Sequence, residues 1–189
     1  MQSVKTIIEE TNKLVATKKT TKNNVQQLEN DCKKHLVNIN GKLQKCINMF
    51  NTVISDICVQ VIKSSPNDPT LKTYNDVVTE IVNNSPVEPI SLFILYIYKD
   101  PLYRKNIAEG NDDFFIDADH HSMTQGDKSK VATMFQFKSS WKNFNSDQKD
   151  YIKNATKMLL KISETYIFEK DDGNKIAEAM LKLSKIETF

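Results

Sequence analysis

The chain of 189 residues is long enough for one domain of ordinary size, or for a smaller domain with an extended arm. Hydrophobic residues make up 39% and charged residues 26%, too apolar for wholesale disorder and too polar for a chain built to span membranes. With only 4 Gly and 5 Pro, a turn-rich all-β fold and glycine-rich phosphate loops are disfavoured, and the net charge of +2 rests on lysine, Arg104 being the sole arginine. Heavy use of Lys, Asn and Ile, which share A/T-rich codons, discounts the lysine excess as evidence for an acidic partner. A dedicated phosphate binder would use arginine's bidentate fork more freely.

The N-terminus has charges at Lys5, Glu9 and Glu10 and no apolar core of signal-peptide length. Ser3 is a candidate N-cap for a first helix carrying Val4, Ile7, Ile8, Leu14 and Val15. The stretch Thr17 to Asn24 has no apolar residue and is rich in poor helix formers, so the helix frays there or runs through it exposed. The strongest periodic signal follows. Val25, Leu28, Cys32, Leu36, Ile39, Leu43, Cys46, Phe50, Val53 and Ile57 succeed one another at spacings of 3, 4, 4, 3, 4, 3, 4, 3 and 4. This is an a/d-type seam with a stutter at its start, on a helix of about 50 Å. The stripe is narrow, flanked by Lys and Asn, and fits one or two partner helices. Gly41 is its weak point, costing up to about 1 kcal/mol relative to Ala. Cys32, Cys46 and Cys58 lie along this one helix, the first two about 21 Å apart, so reduced thiols in the cytoplasm are expected.

Ser64 to Thr70, with two prolines in seven residues, reads as a linker between an association arm (1–63) and a C-terminal domain (71–189). Downstream, Leu71, Tyr74, Val77, Val78, Ile81 and Val82 make an amphipathic helix that stops before Pro86. The run Ile90 to Tyr98 is apolar on all sides, as a central buried helix would be, and is about half the length a membrane span needs. Pro101 opens a short helix through Ala108, residues from Gly110 to Gln125 read as loop, and Val131 to Asn143 returns to helix. Asn145 and Gln148 resemble a capping box for a helix to about Phe168. Asp171 to Asn174 reads as a turn before a last amphipathic helix with Ile176, Ala177, Met180, Leu181, Leu183 and Ile186.

Three constellations could carry chemistry. The loop 109–121 gathers five carboxylates with two imidazoles, and Asp117, Asp119, His120 and His121 are its weak metal candidates. Its spacing matches no calcium loop, so a solvated acidic loop without a metal or any other cofactor is the expectation. Lys138, Lys142, Lys149, Lys153, Lys157 and Lys161 form a lysine-rich row, the last four recurring every fourth residue. Such a row could track a phosphate backbone, or simply form a solvated helix face. Met134, Phe137, Trp141 and Phe144 sit at helical spacing and read as core. With no G-x-S-x-G, H-E-x-x-H or C-x-x-C motif, an enzyme is not expected.

The stretch DPLYRKNIAEGNDDFFI, followed by MFQFKSSWKNFNSDQKDYIKNATKMLLKISETY, pairs an acidic residue before two Phe with Phe-x-x-x-Trp, a polar cap and an amphipathic helix. In this it resembles small helical proteins encoded by nucleocytoplasmic large DNA viruses. The resemblance implies a viral origin, a place in the host cytoplasm or the virion, and a role other than catalysis.

The expectation is thus an all-α protein: a long coiled-coil-like N-terminal helix followed by a C-terminal helical bundle. Its expected role is structural or scaffolding, through association of the arm with itself or another helical protein. The alternative is nucleic-acid binding by the lysine row.

Overall fold

The computed structural model describes residues 3–17, 21–111 and 141–186. The protein is all-α. Its helices are α1 (Val4–Thr17), α2 (Lys22–Ser64), α3 (Pro69–Asn84), α4 (Glu88–Phe93), α5 (Pro101–Glu109) and α6 (Ser146–Leu183). A π-helical stretch, Ile94–Tyr98, continues α4, its signature the Lys99 N–H donating to the Ile94 carbonyl at 3.1 Å.

The helix boundaries follow from capping chemistry. The Thr6 N–H donates to Ser3 Oγ at 3.1 Å, as expected of an N-cap serine. Thr21 Oγ1 accepts from the Asn24 N–H at 3.4 Å, so α2 starts afresh after the polar stretch. Asp100 Oδ1 accepts from the Leu102 N–H at 2.8 Å, with Pro101 in the first turn of α5. That helix ends at Gly110, whose φ of 70° lets the Asn111 N–H reach the Asn106 carbonyl at 3.0 Å. The capping box at the start of α6 is reciprocal: Gln148 N–H to Asn145 Oδ1 at 2.9 Å, and Asn145 N–H to Gln148 Oε1 at 3.0 Å.

The chain groups into two compact units. One takes the residues through Cys46 together with those from Glu164; the other is Ile47–Ser163. Both boundaries run through helices, α2 and α6, and the proline-marked residues 64–70 lie within the second unit. There the chain makes a short turn between α2 and α3, with the Asp68 N–H donating to the Ser65 carbonyl at 3.1 Å.

In the first unit α1, the start of α2 and the end of α6 share a core in which Ile7, Cys32, Ile39, Ile176 and Leu183 are buried. Ile39 neighbours Gly173 and Lys42 pairs with Glu169, so residue numbers rise along α2 as they fall along α6, and the two helices are antiparallel. Lys182 Nζ donates to Asn12 Oδ1 at 3.1 Å, tying α6 to α1. In the second unit Val61, Leu71, Trp141, Phe144 and Ile152 form a core, the Trp141 and Phe144 rings edge to face at 5.5 Å. Phe50 of α2 meets Phe93 of α4 edge to face at 5.4 Å, and Asn51 Nδ2 donates to the Pro86 carbonyl at 2.9 Å.

Two expectations are corrected. Residues 171–174 are not a turn but part of a continuous 38-residue α6. Lys175 holds Asp171 at 2.6 Å and Asp172 at 3.6 Å, which are helical i,i+4 and i,i+3 pairs. Gly173 has a packing role there: a Cβ added to it would lie 3.4 Å from Ile39 Cγ2. The apolar run from Ile90 is helical but not central. Ile90 is fully buried, whereas Leu92 and Leu95 are 40% and 50% exposed. The expected helix over Val131–Asn143 lies outside the described residues except for 141–143, which are helical.

The two helical glycines predict opposite outcomes. At Gly41 a Cβ would meet nothing within 4 Å. Gly41→Ala should therefore raise stability by about 0.5–1 kcal/mol in urea melts. Gly173→Leu should lower it by about 1–3 kcal/mol, because the larger side chain must displace Ile39 from the helix contact.

Candidate interaction surfaces

The α2 seam is inward-facing for most of its length. Val25, Leu28, Cys32, Ile39, Cys46 and Phe50 are buried, and Leu36, Leu43, Val53 and Ile57 are half-buried. Within the first unit the covering residues belong to the same chain: Ile7 of α1, and Ile176, Ala179 and Leu183 of α6. Leu36 and Leu43 pack against the same cluster, while Ile57 packs against the core of the second unit. The seam expected to recruit a partner helix is thus filled by the chain's own helices over its first half. Sequence reasoning passed over His35, which is buried beside Leu36 because it too lies on the inward face. His35 Nε2 and Thr11 Oγ1 are buried in this unit without a hydrogen-bond partner, as is Ser163 Oγ in the other. Such groups cost about 1–3 kcal/mol each when stranded.

The three cysteines are suppressed as nucleophiles. All are free and buried. Burial, with the nearby Asp31 and Glu29 carboxylates, raises the Cys32 thiol, and burial with Glu169 raises that of Cys46. Burial pushes Cys58 up to about 11. Since the thiolate is the reactive form, these positions have little nucleophilic character at neutral pH. The Tyr74 ring is partly exposed, yet burial, then the neighbouring Cys58, raises its hydroxyl, so its polar end is tucked against α2.

The lysine row does not stand clear of the protein. Lys149, Lys153 and Lys157 are half-buried, and Lys142 and Lys161 are exposed. Lys153 pairs with Asp150 at 3.5 Å. Lys157 Nζ would lie 3.3 Å from a Cβ at Gly110, placing its charge at the C-terminus of α5, where a cation complements the helix dipole. Lys138 lies outside the described residues, as do Met134, Phe137 and the acidic-loop candidates Asp117, Asp119, His120 and His121. Among the described residues no three His, Cys, Asp or Glu side chains gather as metal ligands would.

A groove of about 380 Å³ runs between α1 and the start of α2, lined by Glu10, Lys13, Leu14, Gln27, Leu28 and Asp31, among others. Two of its polar walls are occupied with each other: Gln27 Nε2 donates to Asp31 Oδ2 at 3.1 Å.

What sequence reasoning missed is the exposure of apolar side chains between α3 and α5. Of the fourteen large apolar side chains exposed among the described residues, Tyr74, Val77, Val87, Leu92, Leu95 and Leu102 fall on or between α3 and α5. In α3 Leu71 is buried, while the rest of its apolar row is exposed or half-buried. The signal was present as the apolar row itself; its outward orientation was not. Comparison with family models, curated proteins and solved structures finds no match to this chain.

An intramolecular seam makes a specific prediction. Ile39→Ala should cost about 2–5 kcal/mol by opening a cavity between α2 and α6. The mass in solution, read by light scattering, should stay the same. Cys58 supplies a second prediction. Its neutral thiol is the form favoured by burial, and the folded value of about 11 lies above the ordinary 9.0. Its contribution to stability should be complete below pH 9 and lost as pH rises through about 11. Alkylation at pH 8 should be slow in the native state and fast in urea, and Cys58→Ala should remove part of the alkaline fall in stability.

Proposed function

We propose that the chain is a non-enzymatic structural or scaffolding protein that associates with a second copy of itself through the exposed side of α3. The observation that carries this reading is the exposure of Val77, beside the part of the Tyr74 ring that is not tucked against α2. Apolar area left in water forgoes about 25 cal/mol per Å², and clustered exposure of this kind marks interaction surfaces. Filling of the α2 seam by α1 and α6 directs association away from that helix. The resemblance of residues 100–116 and 134–166 to proteins of nucleocytoplasmic large DNA viruses supports a setting in virus assembly, in the host cytoplasm or the virion.

Light scattering of the full chain across a hundredfold range of concentration tests the reading. The expected result is a mass that rises above the monomer with concentration. Val77→Glu should return it to the monomer with little change in melting temperature, since the side chain is exposed. A monomeric mass at every concentration overturns self-association.

A further inference from the structure

We propose that α1 is a detachable strap: it opens from the α2–α6 pair while that pair stays folded, and its release bares the α2 seam around Cys32. The proposal is independent of self-association through α3. Of the fourteen residues of α1 only Ile7 and Thr11 are buried. Val4 and Leu14 are half-buried against the same cluster, so the helix is held by a thin apolar row. Toward its end the contact with α2 is not closed. The groove of about 380 Å³ runs there, bordered by Leu14 and Thr17 on one side and by Asn24 and Leu28 on the other. Apolar edges that face such a groove forgo the close contacts that packing would supply.

The contact also buries polar atoms that it does not satisfy. Thr11 is fully buried, and its Oγ1 has no hydrogen-bond partner. Asn24, Leu28, Asp31 and His35 follow one another at spacings of 4, 3 and 4, so His35 lies on the side of α2 that borders the groove with α1. His35 is buried too, and its Nε2 has no partner. Opening of α1 returns both atoms to water, which offsets part of the loss of Ile7 burial. The α2–α6 pair has ties of its own. Ile39 lies beside Gly173 and Lys42 pairs with Glu169 at 2.8 Å, contacts in which α1 takes no part. A released segment of fourteen residues is marginal as a helix in water, so α1 melts as it opens. Elements with few buried contacts open in this way at a free energy below that of the whole fold. Cys32, fully buried in the cluster that includes Ile7, is a native reporter of the open state.

The test is native-state labelling of the full chain with iodoacetamide, each thiol followed by mass spectrometry and its rate divided by that of the same thiol in urea. On this scale Cys32 is expected to label at least about tenfold faster than Cys58. Amide exchange should likewise release α1 before residues 164–183 of α6. Thr11→Val keeps the side-chain shape and removes the stranded hydroxyl, so it should slow Cys32 labelling about tenfold and leave Cys58 unchanged. Ile7→Ala should speed Cys32 labelling at least about tenfold, with exchange at 164–183 still slow. Equal scaled rates for Cys32 and Cys58, exchange of α1 together with 164–183, or Cys32 labelling untouched by Thr11→Val overturns the strap. Fast exchange at 164–183 in Ile7→Ala also overturns it, in favour of three helices that open only together.

Discussion

The antiparallel contact between the start of α2 and the end of α6 organises the first unit. It joins residues more than a hundred positions apart in sequence, a costly closure that only extensive burial can offset. The offset comes from Ile39, Ile176, Leu183 and Cys32, each buried, with Ile7 of α1 closing the third side. Gly173 lies against the Ile39 side chain, and the Lys42–Glu169 pair at 2.8 Å sits one turn along. Glu169 is largely covered while Lys42 is half exposed, so this pair adds register more than stability.

Much of this architecture was legible locally. Ser3, Asp100 and the Asn145–Gln148 box mark helix starts because a side-chain oxygen two or three residues upstream of a free N–H can do little else. Gly110 ends α5 for the complementary reason, its positive φ closing the last carbonyls. Residues 171–174 misled because Asp, Asp, Gly and Asn are individually turn-prone. Their helical state depends on Lys175 one turn on and on Ile39 of another helix, and the second lies beyond any local window.

The interaction surfaces were less legible, for a different reason. Periodicity shows that the α2 stripe must be covered but is silent on whether the cover belongs to the same molecule. A narrow stripe is what a two-partner bundle requires, and α1 with α6 supplies those partners. His35 escaped notice because a polar ring on an apolar face breaks the pattern without leaving the core. The lysine row was visible as a row, but its spacing could not reveal that Lys157 reaches the end of α5. An apolar run such as Ile90–Tyr98 reads as interior by composition alone, whereas in the fold Ile90 and Phe93 take the inward positions and leave Leu92 and Leu95 outside.

The two treatments of apolar surface bear directly on function. On α2 nearly every seam residue has found a neighbour, and burial raises the thiols it carries. On α3 through α5 comparable side chains remain in water, at a standing cost that folding alone does not recover. Leu95 lies within the π-helical stretch Ile94–Tyr98, with Leu92 just before it and Leu102 just after it. Outward apolar side chains on α3 are what the proposed self-association would cover, whereas those of the α2 seam in the first unit are covered already.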